Sequence, residues 1–340
     1  MSNGSTPRWK RNIPVTRLLG LFIVLLILFS LSSCLLPYAF TLSKSDGVRP
    51  DGPYADSSFE KIDDVWLHYR LVLPQTTEIK GKFLLVHGLG GSTYTFNPAM
   101  AALVDAGFAV VAVDLPGFGY SGRPEKFDHS QEHRAQMLWT LLDTIDSGSG
   151  MSGTTTRRWH LLGHSMGGGT VAAMAIARPA ETASLVLVAG ALEISRGVSS
   201  FLLAFPPFAR WTRLYLERSL LTEEKAGKLL DEAYGREADE HELSVYLDPL
   251  QLPGTARTLT TMVRTTRSIP LDDLRSLHMP VAAIWGNSDT VVPIEKSRAI
   301  GLRVPQLRLY VIEGAAHIPM ETHVEQFNAA LFEFLKDYVR

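Results

Sequence analysis

Six short runs rich in apolar residues constrain this chain more than any other feature: Phe83–Val86, Ala109–Val113, Trp159–Leu162, Ser184–Ala189, Val281–Trp285 and Arg308–Ile312. Runs of four to six such residues, apolar at consecutive positions, suit strands buried on both faces of a sheet. Helical spacing fills the gaps over Thr95–Ala106, Ser130–Ile145, about Ser165–Ala177 and Glu325–Tyr338. Strand and helix in alternation predict an α/β fold, with a mostly parallel central sheet and helices on both faces. Glu60–Leu73 reads as one or two opening strands, and Ser147–Thr156 as a Gly/Ser/Thr-rich flexible loop. The alternation stops between about 192 and 274, where helical patterns and the apolar patch Phe201–Phe208 predict a helical cap inserted before the strand Val281–Trp285.

The first forty residues follow a different logic. Leu18–Leu36 carries no charge, and a helix of that length spans about 28 Å, close to a bilayer's hydrocarbon thickness. Arg8, Lys10, Arg11 and Arg17 precede it, and no acid occurs before residue 41. The positive-inside bias then predicts residues 1–17 as a cytoplasmic segment, 18–36 as a membrane anchor, 37–57 as a polar tether and 58–340 as a domain on the non-cytoplasmic side. A retained signal anchor is the reading taken. A lipoprotein signal acylated at Cys34 (the run Leu31-Ser32-Ser33-Cys34 is similar to a lipobox) and a cleaved signal peptide are the alternatives. The whole chain holds 33 basic and 35 acidic residues, so residues 41–340 carry −6 and no nucleic-acid partner is expected. A lone cysteine excludes an internal disulfide and a cysteine-built metal site.

Gly163-His164-Ser165-Met166-Gly167 fits G-x-S-x-G, a pattern that roughly one chain in ten of this length would show by chance. Its context is specific: an apolar run precedes it and a helix follows, the strand–turn–helix that exposes a nucleophilic serine. Ser165 at a helix N-terminus also sits where the dipole favours developing negative charge. His87-Gly88-Leu89-Gly90-Gly91-Ser92 follows another buried run, so the N–H groups of Leu89 and Met166 are the expected oxyanion donors. It lacks G-x-G-x-x-G, which argues against a dinucleotide site, and no P-loop motif occurs.

A serine needs a base, and the base needs an orienting group. Asp289 follows the strand Val281–Trp285, and His317 follows Arg308–Ile312. Beyond the carboxyl ends of strands is where open α/β sheets gather their ligand-facing groups. Ser165, Asp289 and His317 are therefore the candidate catalytic residues, with Glu193 as the alternative acid. His129 and His133 stand four apart, a metal-like spacing, but with no third ligand nearby they read as structural; His160 and His164 read as solitary, and His323 as a surface residue.

Together the motifs HGLGGS (87–92), DLPGFGYSGRP (114–124), GHSMGGG (163–169), WGNSDTVVP (285–293) and GAAHIPM (314–320) resemble the α/β-hydrolase fold family over about residues 58–338. Serine at 165 sets the chain apart from epoxide hydrolases and haloalkane dehalogenases, which place aspartate at this elbow. The resemblance implies the serine esterase and lipase branch, and the preceding anchor is similar to that of membrane-bound monoacylglycerol lipases. It implies a small-molecule ester substrate, lipid esters included, cleaved through an acyl-enzyme with no metal, nucleotide or flavin. A carbon–carbon bond hydrolase using the same triad and a non-catalytic binding protein on the same scaffold are the competing expectations.

Overall fold

The computed structural model describes residues 15–39, 52–76, 78–148, 158–193, 205–220 and 222–338. The first helix, α1 (Val15–Ala39), extends the expected span at both ends and takes in Arg17. Within it Val15–Leu35 is long and apolar enough to cross a membrane, and little of it is covered by the rest of the protein. Strands β1 (Ser57–Ile62), β2 (Val65–Val72) and β3 (Gly81–Val86) follow, then α2 (Asn97–Asp105), β4 (Phe108–Val113) and α3 (Gln131–Gly148). Next come β5 (Trp159–His164), α4 (Met166–Ala177) and β6 (Thr182–Val188). Among the described residues, the inserted cap holds the α-helices α5 (Pro206–Tyr215), α6 (Glu223–Tyr234), α7 (Glu240–Leu250) and α8 (Thr255–Thr265). The chain then completes the sheet with β7 (Val281–Gly286), α9 (Glu295–Gly301), β8 (Leu307–Ile312) and α10 (Val324–Leu335).

The sheet has eight strands in the order β1-β2-β4-β3-β5-β6-β7-β8. The β1–β2 and β2–β4 pairs are antiparallel, and every pair from β4 through β8 is parallel. All residues of β3, β4, β5 and β7 are buried, which is why they read as unbroken apolar runs. Alternate side chains feed two cores. Leu84, Val86 and Leu161 pack with Leu138 and Leu142 of α3 and Val171 of α4. Phe83, Leu85 and Leu162 pack with Leu103 of α2 and Phe327 and Leu331 of α10. β1 and β8 are the edge strands, and β8 leaves Leu309 and Val311 exposed.

The α/β-hydrolase architecture expected from the sequence is present, with the cap between β6 and β7. Several expected features lie partly outside the described residues: most of the cytoplasmic segment 1–17, most of the tether 37–57, most of the flexible loop 147–156, and Phe201–Ala204 of the apolar patch. The described part of that patch packs on α1. The Phe29 ring lies 4.9 Å from that of Phe208 and 6.2 Å from that of Trp211, and Arg210 Nη1 donates to Ser33 Oγ at 3.3 Å.

Candidate active site

Ser165 stands between β5 and α4 with φ 50° and ψ −121°, a conformation that a non-glycine residue holds only under constraint. Both of its backbone groups are tied down. Its N–H donates to the Val188 carbonyl, and its carbonyl accepts from the Gly168 and Ala191 N–H groups, each at 2.9 Å. The turn is also too tight for side chains. A Cβ on Gly163 would lie 2.4 Å from the Gly167 carbonyl oxygen, and one on Gly167 would lie 2.2 Å from that of Val86. The two glycines of the motif are therefore set by close backbone approach.

His317 and Asp289 come from the neighbouring strand ends as a joined pair. His317 Nδ1 and Asp289 Oδ2 are 2.8 Å apart, and the other carboxylate oxygen accepts from the Val291 and Val292 N–H groups at 2.9 Å. Asp289 and His317 are both buried, while Val291 is exposed. The Asp289 and His317 turns are stitched together, since Asn287 Oδ1 accepts from the Gly314 N–H at 2.8 Å and the Ser288 N–H donates to Ala315. Glu193, the alternative acid, is exposed and lines a separate hollow with Lys296.

Two histidines whose positioning roles the sequence did not reveal hold these parts in place. His164 Nε2 donates to the His317 carbonyl at 3.0 Å, with the two rings 4.7 Å apart. Burial pushes its pKa well below the ordinary value, and the His317 ring adds to this, so His164 stays neutral and serves as a donor. His87 Nδ1 donates to the Gly88 carbonyl at 2.6 Å, while Nε2 accepts from the Leu115 N–H at 2.9 Å. Burial lowers this pKa too, so a neutral imidazole pins the glycine-rich loop to the end of β4. The available signal was position: His87 immediately follows β3, and His164 occupies the x before the serine. His129 contacts Arg134 through Nδ1 at 3.1 Å, and burial followed by the Arg134 charge lowers its pKa to about 2. His160 contacts Ser184 Oγ at 2.8 Å. His323 is half-buried at the start of α10.

A hydrogen-bonded serine–histidine–aspartate chain also stands away from this site. His68 Nε2 is 2.8 Å from Ser57 Oγ, and its Nδ1 is 2.7 Å from Asp114 Oδ2. Asp114 also accepts from the Thr93 and Tyr120 N–H groups at 2.6 and 2.7 Å. His68 and Asp114 are fully buried, so this relay ties β1, β2 and two loops together. Ser165 and His317, by contrast, line a cavity of about 570 Å³. Leu89 lines the cavity, Met166 begins α4, and among the described residues neither N–H is taken by a turn or loop bond. Cap helices α6, α7 and α8 supply most of the apolar wall, including Leu229, Leu230, Leu243, Leu250 and Leu259.

Residues 77–324 match the family described as serine aminopeptidase, S33. The chain belongs to this hydrolase family. Among relatives of this S33 hydrolase, an uncharacterized hydrolase of Bacillus subtilis is 24% identical over 253 residues, covering 74% of this chain and 88% of the relative. A 2-hydroxy-6-oxononadienedioate/2-hydroxy-6-oxononatrienedioate hydrolase of Burkholderia vietnamiensis is 26% identical over 275 residues, covering 74% of this chain and 86% of the relative. Solved structures share the fold. A membrane phospholipase A superposes with TM-score 0.64 at 22% identity, covering 95% of this chain and 98% of the other. An esterase from Exiguobacterium antarcticum gives TM-score 0.66 at 16% identity, covering 82% and 99%.

Proposed function

We propose that this S33 hydrolase cleaves a carboxylic ester with a medium or long acyl chain through an acyl-enzyme on Ser165. The observation that carries this reading is the meeting of Ser165 and the Asp289–His317 pair at one cavity walled by leucines from the cap. His317 would take the serine proton and return it to the leaving alcohol. Asp289 would hold the imidazole tautomer and stabilise the imidazolium. The Leu89 and Met166 N–H groups would receive the oxyanion, supported by the N-terminus of α4.

The wall composition favours an ester over the neighbouring chemistries. A dioate substrate such as that in the Burkholderia relative's name carries two carboxylates, yet among the described residues lining the cavity none is a lysine or arginine. A peptide's free ammonium would need carboxylates, and Glu232 is the one acidic residue on that wall. The helix α1 would serve as a retained anchor with its basic N-terminus in the cytoplasm. That places the catalytic domain beside a bilayer, as a lipid-like substrate requires. The test is a substrate panel: acetyl to dodecanoyl esters, a monoacylglycerol, a vinylogous diketone and an aminoacyl amide. Ester cleavage rising with acyl length and lost in Ser165→Ala supports the reading. Preference for the diketone or the amide overturns it.

A further inference from the structure

Four residues past His317, the buried Glu321 carboxyl joins three separate elements. Its Oε2 accepts from the Tyr234 hydroxyl at 2.6 Å, and its Oε1 from the Tyr246 hydroxyl at 2.5 Å. Tyr246 Oη also lies 3.0 Å from Thr95 Oγ1. Tyr234 is the last residue of α6, Tyr246 lies on α7, and Thr95 belongs to the turn beyond the glycine-rich loop. The end of α6 is fastened a second time, because the His317 N–H donates to the Ala233 carbonyl at 2.9 Å. Two helices that wall the cavity and the loop that carries the base thus converge on one side chain.

The groups facing that carboxyl are phenols, a hydroxyl and one further acid. Glu242 of α7 is held by Arg236 through two hydrogen bonds of 2.6 and 2.8 Å, and the Arg236 guanidinium lies 4.9 Å from the centre of the Tyr234 ring. Tyr94, from the turn, packs edge-on against Tyr246. Burial pushes the Glu321 carboxyl up to about 7, with the Glu242 charge adding and the tyrosine hydroxyls opposing. Protonation reverses the Tyr246 bond and still satisfies the whole group: Tyr234 donates to one oxygen, the protonated oxygen donates to Tyr246 in place of accepting from it, and Tyr246 donates to Thr95. An ionised one is a buried charge with no cation against it, which favours parting the joint and admitting water.

We propose that Glu321 is a positioning residue whose neutral carboxyl seats the cap helices on the His317 loop and whose ionisation loosens them. The inference rests on the reading of the cavity as an acyl site and of His317 as the base. A carboxyl raised in the folded state contributes stability that is complete below about pH 4 and is lost as pH rises through about 7. The cap should therefore close on an acyl chain more firmly at pH 6 than at pH 8.

The test compares the full chain in detergent micelles with Glu321→Gln and Tyr234→Phe. Amide hydrogen exchange over residues 223–250, corrected for the intrinsic pH dependence of exchange, reads the joint directly. In the parent it should quicken by about ten-fold from pH 6 to pH 8, while the sheet stays unchanged. Glu321→Gln should exchange equally at both. Tyr234→Phe should keep the transition but at higher pH, since one donor to the ionised form is gone. In parallel, the parent's KM for an octanoyl ester should rise about three-fold over that range and its KM for an acetyl ester should stay constant, a contrast that Glu321→Gln abolishes. The acetyl ester is the control for any pH effect on the chemical step itself. A parent cap insensitive to pH, a Glu321→Gln variant that keeps the parental transition, or an unshifted Tyr234→Phe overturns the proposal. If no ester is turned over, the acyl-site reading falls, while the exchange measurement still decides whether Glu321 loosens the cap.

Discussion

Gly167→Ala offers a sharp test of how the elbow is built. In an exposed helix this substitution would stabilise by about 1 kcal/mol. Here the added Cβ would sit 2.2 Å from the Val86 carbonyl oxygen and 2.6 Å from that of His87. Carbon and oxygen approach comfortably only to about 3.3 Å, so α4 and the end of β3 must part by roughly 1 Å. Both sides of the clash are backbone, with no rotamer to give way, which puts the cost at the upper end of the roughly 1–3 kcal/mol typical of overpacking. For a domain of this size that lowers Tm by roughly 5–10 °C. The same parting separates Ser165 on one side from the loop bearing Leu89 on the other, and a misplacement of about 1 Å costs about 100-fold in rate. The assay is thermal unfolding beside kcat for a short soluble ester. Gly148→Ala is the control, since its added Cβ meets nothing within 4 Å, and it should stay within about 0.5 kcal/mol of the parent. A Gly167→Ala protein with parental Tm and kcat would refute the close-approach argument.

Further outcomes follow from the same geometry. Ser165→Ala combined with His317→Ala should be little slower than Ser165→Ala alone, because the groups act as a unit; Asp289→Asn should lose activity to an intermediate degree and Glu193→Gln should lose none, and the reverse pattern in steady-state rates would move the acid to Glu193. Asp114 tests the buried relay by pH. Burial alone would raise its carboxyl, but the His68 hydrogen bond and charge hold it below the usual value, so its contribution is present above about pH 4 and lost as pH falls further. The Tm deficit of Asp114→Asn should therefore shrink on acidification, and a constant deficit from pH 7 to pH 3 would contradict this. A chain beginning near Ser43 should keep its kcat on a short ester and do worse on a long-chain ester in vesicles, whereas equal loss on both would mean that the Phe29 contact with Phe208 and Trp211 shapes the site. Cys34→Ala should leave membrane attachment unchanged, and release of the protein on fractionation would favour acylation.

What was legible in the sequence had local causes. β3, β4, β5 and β7 are buried on both faces, so each wrote itself as an uninterrupted apolar run. Ser165 and Asp289 each follow such a run in a glycine-marked turn, His317 follows the partly exposed edge strand β8 in another, and the fold brings the three turns to one end of the sheet. The rest depends on meetings between distant segments that no local pattern records. His164 looked solitary because its partner is a carbonyl 153 residues away. Glu321 meets Tyr234 and Tyr246 across 87 and 75 residues, and tyrosines on cap helices otherwise read as ordinary packing. His68 and Asp114 were invisible as a pair for the same reason, standing 46 residues apart.

The central claim is that one serine, held at the β5–α4 turn and served by His317, carries out the chemistry. Incubating the full chain with a fluorophosphonate and mapping the adduct by peptide mass spectrometry tests it most directly. The account predicts a single labelled residue, Ser165, with labelling abolished in Ser165→Ala and slowed by several powers of ten in His317→Ala. Label on any other residue, Ser57 of the buried relay included, or labelling that persists in Ser165→Ala, would contradict it.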